Sequence, residues 1–143
     1  MKLLSAPKAK YLLEGGLDVL HSQSIEWLSE VAFWRDEAAF FHELVAEKTR
    51  KPMSSKAKDS FRKIESELVK LKTSELDELE DSVEAHEVYL DKLMQNEYKE
   101  QEPYREKHRS LTFQFHIIES QIQKLKKEVF KLSKLIHEAE LVS

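Results

Sequence analysis

Leu111, Phe115, Ile118, Ile122, Leu125, Val129, Leu132, Ile136 and Ala139 follow one another at alternating steps of four and three through the last third of the chain. No glycine or proline interrupts them. That spacing draws one apolar stripe along one long helix, and a strict seven-residue repeat implies left-handed supercoiling against a partner helix. It predicts a helical bundle and leaves little room for a conventional active site.

Composition agrees. Only two glycines and three prolines punctuate 143 residues, while 35% of the chain is charged. A sheet-rich fold would need more turn residues. One domain is the expectation at this length, with residues 1–16 as a partly ordered N-terminal segment and 17–143 as a single helical bundle. The chain has no cysteine. That rules out disulfides, thiolate metal ligands and a cysteine nucleophile, and it fits a cytoplasmic setting. No apolar run approaches a membrane span, and the run near Met1 is too short for a signal-peptide core. The expectation is a soluble protein with no membrane partner. Net charge is −4, so the basic footprint of a nucleic-acid partner is missing. The run Lys124, Lys126, Lys127, Lys131 and Lys134 reads as a solvated helix face.

Tyr11, Leu12 and Leu13 form a small apolar cluster before Gly15-Gly16 breaks the chain. A first helix begins near Leu17. Leu17, Leu20, Ser24, Trp27, Val31, Trp34, Ala38, Phe41 and Val45 keep the three-four step to about Lys48. Arg50-Lys51-Pro52 ends it, because basic residues suit the negative end of the helix dipole and proline cannot continue a helix. Ser54 or Ser55 can cap the next.

The second helix carries two stripes: Phe61, Ile64, Leu68 and Leu71, then Leu76, Leu79, Val83, His86, Leu90 and Leu93. Their join is a step of five. A break there, with Thr73 or Ser74 as a new cap, gives a four-helix bundle. Continuity gives an elongated, antiparallel, up-down-up three-helix bundle or coiled coil, with helices of roughly 50 to 68 Å. Continuity is favoured, because no Gly or Pro lies between Ser54 and Gln101. Glu102-Pro103 opens the third helix, Pro103 suiting a first helical position.

The six histidines invite a metal. Di-iron bundles use Glu-x-x-His from facing helices, yet no histidine here has a Glu three residues before it. His86-Glu87-Val88-Tyr89-Leu90-Asp91 matches one hemerythrin-like spacing, without the rest of that pattern. No metal, cofactor or catalytic group is expected. His86 and His108 fall on apolar seams and read as interface histidines with polar partners. A turn near residue 100 would set them in different layers, His86 near Phe115 and His108 near Leu93. Glu30 and Glu37 fall inside the apolar arc of the first helix, where a carboxylate must be paired. Arg62, Lys63 and His137 are the expected partners of Glu37, in a pair that fixes helix register. The aromatic density at Trp27, Phe33, Trp34, Phe40 and Phe41 exceeds what one seam needs. Phe33, Phe40 and Phe113 are therefore candidate surface contacts for a protein partner or a homodimer.

Glu26-Trp27-Leu28-Ser29-Glu30-Val31-Ala32-Phe33-Trp34-Arg35-Asp36-Glu37 resembles the first-helix signature of small uncharacterised helical-bundle proteins of Bacteroidetes. Leu76-Asp77-Glu78-Leu79, with His86-Glu87 and Leu90, is similar to their second helix, and His108-Arg109-Ser110-Leu111 to the start of their third. The resemblance implies a continuous second helix and a cytosolic bundle. It implies no activity. Two functions remain: a structural or protein-interaction bundle without enzymatic activity, or a metal- or small-ligand-binding four-helix bundle of ferritin-like or hemerythrin-like type.

Overall fold

The computed structural model describes residues 16–142, with side chains described to His137. The Tyr11-Leu12-Leu13 cluster, Gly15 and the side chain of Ala139 lie outside the described residues. Among the described residues the protein is all-helical, with no strand. We number the helices α1 (Leu17–Thr49), α2 (two α-helical arms, Ser55–Lys70 and Leu76–Met94, joined by the π-helical turn Leu71–Glu75) and α3 (Glu102–Val142).

The ends follow local chemistry. Gly16 takes the left-handed φ of +70° just ahead of α1, a conformation that favours glycine. Ser54 caps α2: its backbone is extended, and its hydroxyl oxygen accepts from the Ala57 N–H at 3.1 Å. Asn96 closes α2 with a φ of +61°. The Asn96 N–H bonds the Leu93 carbonyl and the Glu97 N–H bonds that of Lys92. This is the Schellman arrangement, with asparagine in the left-handed position.

Helix α2 does not break at residues 72–75. At 100° per residue a step of five would rotate Leu76 about 140° away from Leu71. The π turn absorbs the surplus residue: the Leu76 N–H reaches back to the Leu71 carbonyl, five residues away. Leu71 and Leu76 are both buried as a result. Thr73 caps nothing; its hydroxyl donates to the Val69 carbonyl at 2.7 Å.

The chain packs as two compact units. Among the described residues, unit 1 comprises 16–32 together with Glu78–His116. Leu17, Leu90, Leu93 and Tyr104 form the core at one end of it, with Leu20, Tyr89 and Met94 packed around them. Elsewhere in this unit Trp27 stacks on His108 and on Phe115, with ring centroids 4.5 and 4.9 Å apart. Unit 2 comprises Phe33–Asp77 and the residues from Ile117 onward. Trp34, Phe41, Phe61, Leu68, Leu125 and Val129 are among its buried residues. Beside Trp34, Leu71 and Leu125 this unit has a partly open pocket of ≈ 10 Å³, with Glu37 and Lys126 also in its lining, space for about one water and too small for a ligand.

Candidate functional site

Two features stand out against this packed background: a polar cluster buried in unit 1 and an aromatic surface on unit 2.

The polar cluster is built by three helical segments. His86 and His108, on α2 and α3, are 3% and 4% exposed. His86 Nε2 lies 3.0 Å from His108 Nδ1, and His108 Nε2 lies 2.7 Å from Gln23 Oε1 on α1. With Oε1 as the acceptor and both rings neutral, the protons are ordered: His108 Nε2–H donates to Gln23, leaving Nδ1 to accept from His86 Nε2–H. That tautomer leaves His86 Nδ1 as a bare lone pair, and this atom is buried without a hydrogen-bond partner in the protein. Burial lowers the pKa of His86 to about 3, helped by His108 and then Lys107, and burial lowers that of His108 to about 4.

The expectation that the two histidines occupy different layers is corrected. The chain turns at Asn96 and not near residue 100. After Asn96 the backbone returns alongside α2, and the Tyr89 hydroxyl donates to the Glu100 carbonyl at 3.0 Å. The start of α3 is thereby drawn back along α2 until His108 meets His86. Tyr104 stacks on His86 at 4.1 Å.

Beside the histidine pair lies a part-buried His–Glu hydrogen bond that the sequence does not single out. Glu87 is 5% exposed, and its Oε2 is 2.7 Å from His21 Nδ1. Burial raises the Glu87 pKa, while His21 and then Ser24 act to hold it down. Glu87 Oε1 and the Tyr104 hydroxyl are buried without a partner at hydrogen-bond geometry. Ser24 lies close enough to both to influence their ionisation, but its own hydroxyl donates to the Leu20 carbonyl at 3.2 Å. Burial, followed by the Glu87 charge, pushes the Tyr104 phenol well above its usual range. Glu87 lies one position past the His86 seam residue. Its sequence signals were the hemerythrin-like spacing and Ser24 on the facing seam. Among the described residues no group of three or more His, Asp and Glu side chains is placed to hold a metal ion.

In unit 2, Glu37 is partly buried and pairs with Lys126 Nζ at 2.8 Å. Its expected partners Arg62, Lys63 and His137 are corrected. Arg35 meets Asp77 at 2.7 Å and His42 meets Glu65 at 3.7 Å, so the part of α2 level with Glu37 lies near Glu75, more than three turns beyond Arg62. A carboxylate there offers no counter-charge, and α3 supplies it.

Glu30 lies in unit 1 and is exposed, also a correction. The buried arc of α1 is a single seam. Phe33 and Phe40, beside that seam, face solvent, and Glu30 lies on the same side.

Phe33 and Phe40 are each 60% exposed and Phe113 is 68% exposed. Phe40 meets Phe41 edge-on at 5.4 Å, and Phe41 meets Phe130 edge-on at 5.7 Å. Phe130 on α3 is itself 59% exposed. Phe40 and Phe130 thus form an open aromatic cluster anchored on the buried Phe41. The sequence does not single out Phe130, because its place in the cluster depends on Phe41, a residue of another helix.

No helix among the described residues is long and apolar enough to cross a membrane. No family model, curated protein or solved structure matches the chain.

Proposed function

We propose that this is a non-enzymatic structural protein of the cytoplasm, a helical bundle that presents an aromatic face to a protein partner. The carrying observation is the cluster of Phe40 and Phe130 on unit 2. A chain that buries Trp34, Phe41 and Phe61 does not need two further phenylalanines in water. Exposed apolar patches of this kind mark interaction surfaces, and phenylalanine is enriched at interface cores. The buried cluster of unit 1 supports the same reading from the other side, since its imidazoles are engaged in hydrogen bonds that tie three helical segments together.

The up-down-up antiparallel topology belongs to this proposal. It is supported by the contacts within unit 2, where Arg35 reaches Asp77 while the later residue His42 reaches the earlier residue Glu65. The metal- or ligand-binding alternative has only the His21, Glu87, His86 and His108 neighbourhood in its favour.

A photo-crosslinking amino acid at position 40 tests the proposal in the producing cell. Discrete protein adducts are expected there. At position 81, an exposed aspartate site, none are expected. Equal labelling at both positions, or none at 40, would overturn the proposal.

A further inference from the structure

We infer that the partner of this face is a second copy of the same chain, docked so that α1 of each unit 2 lies on α3 of the other. The inference rests on the reading of the bundle as an interaction protein and names the occupant. Its basis is a division of charge. The solvent face of α1 in unit 2 carries Phe33, Asp36, Phe40, Glu43 and Glu47, all exposed. Aromatic and acidic side chains alternate there, and no lysine or arginine shares the face: Arg35 turns to Asp77, and Lys48 is half-buried. The solvent face of α3 in the same unit carries Lys127, Phe130, Lys131 and Lys134, also exposed. Here the aromatic is set among bases.

Each face is therefore complementary to the other and repels its own kind. A partner of single charge sign would suit one face and be rejected by the other. A two-fold axis satisfies both at once, because it brings the acidic face of each copy to the basic face of its mate. The phenylalanines then fill the centre and the charges form the rim, the usual arrangement of an interface. The chain already makes this pairing internally, where Lys126 of α3 holds Glu37 of α1 at 2.8 Å.

Charge reversal on the full chain tests the inference. Light scattering coupled to size exclusion should give a mass approaching twice 16.9 kDa as concentration rises, with dissociation strengthened by added salt. Glu43→Lys/Glu47→Lys makes both faces basic, and Lys131→Glu/Lys134→Glu makes both acidic. Each variant alone should dissociate at least about tenfold more readily, since like charges across an interface repel. An equimolar mixture of the two should restore the dimer, because acid then meets base at both contacts. Circular dichroism checks that the helices persist. Phe40→Ser/Phe130→Ser, which changes no charge, should also yield monomer.

A wild-type chain that stays monomeric at hundred-micromolar concentration overturns the inference, while adducts of position 40 with other proteins would still uphold the broader reading. Charge variants that self-associate as well as wild type, or a mixture that fails to rescue, would overturn the proposed pairing.

Discussion

His86 Nε2 and His108 Nδ1 lie 3.0 Å apart in the interior of unit 1, on helices α2 and α3. The contact requires at least one ring to be neutral, because two imidazolium ions would leave no acceptor between them, and burial lowers both pKa values so that both rings are neutral near pH 7. A buried polar contact of this kind resembles the polar core positions that specify helix register in coiled coils. It also makes the fold sensitive to acid.

The direction of that sensitivity follows from linkage. In the folded chain the two pKa values are lowered to about 3 and about 4 from 6.5. The unfolded chain therefore takes up protons first as pH falls. The stability contributed by the neutral pair is complete above pH 6.5 and is lost as pH falls through 6.5 towards 4 and below. The expected loss between pH 7 and pH 5 is about 2 kcal/mol per histidine. Urea unfolding at pH 7, 6 and 5 measures it, and a His86→Leu/His108→Leu variant should show a flatter profile over the same range. Identical slopes for wild type and variant would sink the assignment.

His21 and Glu87 respond differently to single and double replacement. Removing His21 alone, as His21→Leu, leaves a carboxyl group that is 5% exposed without its hydrogen-bond partner and should cost about 2 kcal/mol. Replacing both with apolar residues of similar size should be close to neutral, because the desolvation penalty goes with the pair. A double-mutant cycle by chemical denaturation reads the coupling. Additive losses would show that the two side chains do not depend on each other.

Much of this arrangement was legible in the chain because helical burial follows a period of about 3.6. Val31, Trp34, Phe41 and Val45 on α1, and the α2 seam residues through Leu93, are buried where the three-four pattern put them. What periodicity does not carry is register between helices. That depends on where each turn falls, and the one between α2 and α3 begins at Asn96 instead of near residue 100. Hence His86 and His108 could be recognised singly but not as a pair, and the opposite number of Glu37 was misjudged by several turns. Glu87 was overlooked for a related reason: its burial comes from a facing histidine 66 residues away in sequence, and no local pattern encodes that. The step of five between Leu71 and Leu76 was visible, but apolar spacing alone does not separate a break from a π turn.

That π turn gives a prediction about chain length. Deleting Thr73 shortens the Leu71-to-Leu76 step to four, which an ordinary α-helix accommodates with both leucines on one face. The deletion should leave helicity intact and cost about 1 kcal/mol or less, through contacts such as the one between Gln121 and Glu75. Inserting an alanine after Ser74 makes the step six. No single π turn absorbs that, and the seam on one side of the insertion must rotate out of the core. Thermal melts of the two variants should differ by about 10 °C, given a cost of roughly 3–4 kcal/mol for a displaced seam and about 2–4 °C per kcal/mol for a chain of this size. Similar melting of the two would mean that the turn does not hold the seam in phase.

Neighbouring residues on α1 offer the sharpest check on which side of the helix is interior. Phe33 is 60% exposed and Trp34 is 6% exposed, although hydropathy ranks them alike. Trp34→Ala removes a buried indole beside Leu71 and Leu125 and should cost about 4 kcal/mol. Phe33→Ser takes an apolar ring out of water and should change monomer stability by about 0.5 kcal/mol or less. The comparison is made by urea denaturation at low protein concentration, where self-association does not add to the stability of wild type. If Phe33→Ser proved as damaging as Trp34→Ala there, the ring would belong to the core, and the argument for an aromatic docking face on unit 2 would lose one of its three phenylalanines.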